Sequence, residues 1–159
     1  MDKDILRIPL DLGEWVDRQV LMTWVQAEIE ALDWGNPELE TYLKAHPDFR
    51  PKALLALLTS AYASGVFESE EMIFALQSNA EFKGLWAGPG PGAKEIERFR
   101  RQNRALIRWT LVQVLQRAMQ SRLQFADIRY LAGLRQMLSE SATERLELAR
   151  HMDRAAQGA

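Results

Sequence analysis

"PKALLALLTSAYASG", residues Pro51 to Gly65, decides the fold class. At helical spacing its leucines and alanines cover most of the circumference, which predicts a central core helix surrounded by protein. Pro51 suits the first turn, where its missing N–H costs nothing, and Gly65 suits the position just past the end. Such a helix needs neighbours to cover it, and the sequence on both sides supplies them.

Upstream, apolar residues at helical period predict a first helix from about Gly13 to Leu32, with Val16, Val20, Trp24, Ala27 and other apolar residues in a broad stripe. "DWGNPELE" breaks it: Gly35 ends one helix, Asn36 caps the next and Pro37 fits its first turn. A short helix to about Ala45 and a turn at "HPDFRP" then lead into Pro51. Downstream, Ser69 reads as an N-cap for "EEMIFALQS", with Glu70 and Glu71 near the positive end of the helix dipole. Asn79 caps a further short turn through Trp86. "AGPGPG", residues 87–92, is a breaker, since proline removes donors and glycine permits unusual φ. A long helix is predicted from about Lys94 to Gln124, then two more from about Asp127 to Leu138 and Ala142 to Ala156. Ser141 and Glu144 have capping-box spacing at the start of the last. No alternating β-branched run is long enough for a strand. The expected fold is all-α: a compact multi-helix bundle, one domain over 1–159, with a helix-turn-helix-like pair (51–64 and 69–78) and one long basic helix.

The chain has 159 residues, 47% of them hydrophobic and 26% charged, which fits a globular domain rather than a disordered one. It has no cysteine, which excludes disulfides and thiolate metal sites. The N-terminus carries acids where a signal peptide would be basic, and no apolar run reaches the roughly 20 residues of a membrane span. The expectation is a soluble, cytoplasmic protein with no membrane association. Net charge is only −2, but it is divided. Residues 1–93 hold 7 basic and 15 acidic side chains, whereas 94–159 hold 13 basic and 7 acidic. That asymmetry suits a polyanionic partner, or two halves that attract each other in the fold.

The positive charge concentrates in "AKEIERFRRQNRALIRW", Ala93 to Trp109. On a helical wheel Lys94, Arg98, Arg101, Arg104 and Arg108 fall within an arc of about 120°. Ile96, Phe99, Leu106, Ile107 and Thr110 take the other side, and Arg100 lies off the basic face. These five cations are the candidate DNA contacts, each able to displace a counterion from a phosphate. Glu97 within the arc and Glu95 beside it blunt the attraction, so a merely solvated face is the competing reading. Trp109 sits at the edge of the arc and is expected to pack on a neighbouring helix.

Residues 49–107 also resemble the N-terminal domain of bacterial insertion-sequence transposases of the DDE class. The features that carry the resemblance are Pro51, Ser64-Gly65, Ser69, Asn79-Ala80 with Phe82, Gly88 and Pro91, Ile96, and Arg98-Phe99-Arg100-Arg101, in the family's order and spacing. "LGEWV…VQAEIEALDW" resembles its opening helix and "LIRWTLVQVLQRAM" its continuation, so the similarity covers roughly residues 9 to 120; 121–159 are extra C-terminal helices. The resemblance implies helices that recognise transposon-end DNA, followed in the family by an RNase H-like domain that holds Mg²⁺ with three carboxylates. That second domain is not expected here. "LQFADIRYLAG" offers Asp127 without the Gly-Thr context, and about 30 residues remain after it. A two-metal site needs carboxylates on separate rigid elements.

The resemblance departs at two places. Glu70 and Glu71 stand where the family carries Arg, and the second helix of the pair has no Lys or Arg, so base reading by that helix is not expected. "GAKE", Gly92 to Glu95, replaces the family's Asp-His-Ser-Thr-like run. His46 and His151 are the only histidines, without zinc spacing; "GPGPG" lacks a phosphate loop's Lys-Ser/Thr, and no serine has a nucleophile-elbow context. The expected function is a non-catalytic, transposase-derived DNA-binding domain without a cofactor, its partners being DNA, a homodimer mate or a full-length transposase. The alternative is a helical protein-interaction module, homodimeric, that has lost DNA binding.

Overall fold

The computed structural model describes residues 8–32, 51–86, 88, 90–123 and 131–158. Among them it is all-helical, with seven α-helices, one 3-10 turn and no strand. The elements are α1 (Arg18–Glu30), α2 (Pro51–Ala63), α3 (Ser69–Ser78), α4 (Ala80–Lys83), α5 (Ala93–Gln102), α6 (Arg104–Leu123) and α7 (Leu131–Gly158). The short helix expected after Asn36, the "HPDFRP" turn up to Arg50, and Asp127 lie outside the described residues.

α2 is the central helix expected of it: all ten residues from Leu54 to Ala63 are buried. It ends as its sequence requires. Gly65 has φ +76°, its N–H reaches the Tyr62 carbonyl, and the Val66 N–H reaches the Ala61 carbonyl at 2.8 Å. These two bonds form a Schellman closure, in which glycine takes the left-handed conformation. α6 packs on α2 and buries Ile107, Thr110, Leu111, Val114, Leu115, Ala118 and Met119, a stripe spaced three and four residues apart. The hydroxyls of Thr59 and Thr110 meet 3.1 Å apart at that crossing. α1 and α7 pack on α6, α1 packs also on α2, and the buried side chains form one contiguous cluster. α3 packs chiefly on α4 and α5.

Several sequence expectations are corrected. The first helix starts twice, because Asp11 caps a 3-10 turn at Leu12–Glu14 and Asp17 caps α1 by accepting from the Gln19 N–H at 2.9 Å. Its fully buried stripe is Leu21, Met22, Val25 and Ile29, with Val16 and Trp24 packed partly buried against the core as expected, while Val20 is 44% exposed and Ala27 is exposed. The apolar sector is wide, and α2 and α6 meet only one edge of it. Ser69 is not a cap: Glu68 stands at that position, and the buried Ser69 hydroxyl donates to Glu97 across to α5.

The long basic helix is broken at Asn103. There φ is −122° and ψ 31°, and the side-chain amide donates to the Phe99 carbonyl that already accepts the Asn103 N–H. An Asn side chain competing for its own helix's acceptors disfavours a smooth continuation. The last two helices are, in contrast, one. From Leu131 to Gly158 no proline intervenes, and the apolar stripe Leu138, Ala142, Leu146, Ala149 runs through the expected boundary. Ser141 lies inside this helix, where its hydroxyl accepts a bond from Arg145 instead of capping. Asn79 does cap α4, accepting from the Glu81 and Phe82 N–H groups.

Candidate nucleic-acid interface

α5 carries its charges on the side away from Ile96 and Phe99, which anchor it to the core. Lys94, Arg98 and Arg101 are exposed and have no ion-pair partner among the described residues. Arg104 and Arg108 lie past the break, on α6. Arg104 is paired with Glu147 of α7, and Arg108 donates to the Ser139 hydroxyl at 2.7 Å. The expected arc is therefore split: three cations face outward freely and two are partly occupied by α7. Trp109 is 45% exposed rather than buried in the core, because the inward stripe of α6 passes through Ile107 and Thr110 on either side of it.

Arg100 turns inward, as its wheel position off the basic face suggested. It is 5% exposed, donates from Nε to Asp153 Oδ2 at 2.8 Å and from Nη2 to Asp153 Oδ1, and gives Nη1 to the Phe67 carbonyl. Burial works against its charge, but Asp153 and the adjacent Tyr62 outweigh that and hold its pKa above the usual value. Tyr62, 1% exposed, is pushed up to about 12 by burial, with Arg100 opposing, so its hydroxyl stays protonated at neutral pH.

The Arg100–Asp153, Arg104–Glu147 and Arg108–Ser139 contacts run antiparallel and fix α7 against α5 and α6. This brings Arg150 and Arg154, both exposed, to the rim of a cleft shared with Arg101 and Arg104. The cleft has a volume of about 490 Å³, and Tyr62 and the Arg100–Asp153 pair lie in its lining. Arg150 and Arg154 were not among the expected contacts. Their spacing of four puts them on one helical face, a signal present in "LARHMDRAA"; that this face meets the basic helix is visible only once α7 is docked. Guanidiniums keep their charge across ordinary pH, so the surface suits binding of anions rather than proton transfer. Among the described residues no three His, Cys, Asp or Glu side chains group as a metal ion would require.

No protein-family model, curated protein or solved structure matches this chain. The similarity to transposase N-terminal domains accordingly rests on the motifs quoted above.

Proposed function

We propose that the chain is a non-catalytic, transposase-derived DNA-binding module that grips duplex backbone through Lys94, Arg98, Arg101, Arg104 and Arg108. The observation that carries this reading is the set of exposed, unneutralised cations on α5, extended by Arg150 and Arg154 on α7. Their contacts would be to phosphates, which position a protein on DNA without reading sequence. α3 supports no base reading, because Glu70 and Glu71 are exposed at its positive end and it carries no Lys or Arg. A cytoplasmic setting without a cofactor belongs to the same proposal; among the described residues no helix is long and apolar enough to cross a membrane.

Fluorescence anisotropy of a labelled duplex, at about 50 and 200 mM salt, tests it. Binding is expected to weaken steeply between the two. Replacing Arg98, Arg101 and Arg108 together by Ala should abolish binding at the higher salt and lower the salt slope by about 2–3, with helicity intact. Unchanged binding by the triple variant would remove the assignment. A second reading, a protein-interaction module acting as a homodimer or on a full-length transposase, is favoured by Phe74, which is 68% exposed on the acidic α3. Light scattering separates the two. A mass that stays monomeric over a wide concentration range discards the homodimer.

A further inference from the structure

We propose that the cleft between α5 and the C-terminal part of α7 is a seat for a phosphate monoester, held by Arg101, Arg150 and Arg154. This goes beyond the backbone grip, which concerns an open surface and phosphate diesters. The cleft is concave and, at about 490 Å³, lies within the range of about 300–1,000 Å³ common to small-ligand sites.

The charge balance inside it is uneven. Asp153 spends both oxygens on Arg100, and Glu147 is engaged by Arg104. Arg101, Arg150 and Arg154 face the same space with no carboxylate bonded to them among the described residues. Three like charges around one concavity repel each other, and an anion placed between them relieves that repulsion. A phosphate monoester suits the place better than a diester, since it carries about −1.5 to −2 charge and three acceptor oxygens against one charge and two free oxygens. Planar guanidinium forks bind such oxygens in pairs. The Arg100–Asp153 pair gives the site a fixed, internally neutral boundary. Ala149, with only a methyl side chain, lines the cleft beside it.

The phosphate has two sources, the 5′-terminal phosphate of a DNA strand or a small free phosphate, and the test separates them. Full-length protein is titrated with two duplexes identical except for a 5′-phosphate or 5′-hydroxyl, and its melting is followed in inorganic phosphate against chloride at equal ionic strength. The variant R150Q/R154Q changes two exposed positions; K94Q/R98Q is the control on α5 outside the cleft. If a strand end is the source, the 5′-phosphorylated duplex binds roughly tenfold tighter, as one additional charge-assisted contact would give. R150Q/R154Q abolishes that preference while K94Q/R98Q weakens both duplexes alike. If a free phosphate is the source, the duplexes bind equally or not at all, but phosphate stabilises the wild type and not R150Q/R154Q. That second result keeps the seat even where duplex binding, and with it the DNA reading, has failed. The seat is overturned by the absence of both the 5′-phosphate preference and the phosphate-specific stabilisation, or by their survival in R150Q/R154Q. A duplex-binding protein with that outcome would keep the backbone grip alone.

Discussion

At the scale of the residue, Arg145 is the unusual side chain: it is 0% exposed and sits in the middle of the apolar stripe of α7. Among the described residues no carboxylate bonds to it. Nε donates to the Tyr62 carbonyl at 3.0 Å, Nη1 to the Ser141 hydroxyl and carbonyl, and Nη2 to the Pro9 carbonyl at 2.6 Å and the Leu10 carbonyl at 3.3 Å. The Tyr62 carbonyl lies at the C-terminal, negative end of α2, so helix dipole and chain carbonyls together replace a counter-ion. Burial pulls the guanidinium down to about 10, with Glu144 opposing, so it remains charged at neutral pH. Arg145→Met would take this donor from the Pro9 and Leu10 carbonyls and leave Tyr62 only the Gly65 N–H, and should cost about 3–5 kcal/mol in urea unfolding, with the N-terminal segment released to early proteolysis. Tyr62 supplies a pH signature. Its folded pKa is raised, so the stability it contributes is complete below pH 10 and is lost as pH climbs towards about 12. The stability difference between wild type and Tyr62→Phe should therefore shrink by about 2–3 kcal/mol over that window, a change readable by urea titration at stepped pH.

At the scale of the element, helix ends were legible where one side chain or one φ value is enough. Pro51, Gly65 and Asn79 behave as their local chemistry requires, since each acts within a few residues of itself. Asn79→Ala should destabilise by about 1 kcal/mol through the loss of two accepted bonds, measured as a lowered urea midpoint. Ser69 and Ser141 show the limit of the same reasoning. Each has a hydroxyl suited to capping, but Ser69 is drawn to Glu97 on α5 and Ser141 to Arg145 within α7. A partner from another element, or a stripe that needs to continue, outcompetes the local motif. The break at Asn103 is the converse case: a local Asn bond interrupts a helix whose amphipathic pattern runs on past it.

At the scale of the molecule, the question posed by the divided charge has a structural answer. Arg117 reaches back to Glu28 at 2.8 Å, joining the two halves, whereas Arg100 and Arg104 find their carboxylates on α7, within the basic half itself. The surplus on Lys94, Arg98, Arg101, Arg150 and Arg154 is not consumed by the acidic half among the described residues. Arg100 also joins α5, the α2–α3 connection at Phe67 and α7 in a single buried knot. Asp153→Ala should consequently cost about 3–5 kcal/mol, because it strands a buried charge. Arg100→Leu with Asp153→Leu should cost clearly less than Asp153→Ala alone. Thermal unfolding of the two variants checks the order.

The all-helical class, the buried nature of α2, its termination at Gly65 and the core positions Ile96, Phe99 and Ile107 were determined by the sequence alone. Each depends on spacing within one helix or on one residue's conformational range, and neither needs to know what lies opposite. The rotation of α1, the fusion of the last helix, the inward role of Arg145 and the meeting of Arg150 and Arg154 with Arg101 were decided by tertiary structure. A wide apolar sector permits several docked orientations, and a cation's role depends on which carbonyl, carboxylate or fellow cation a distant segment brings within about 3–4 Å of it.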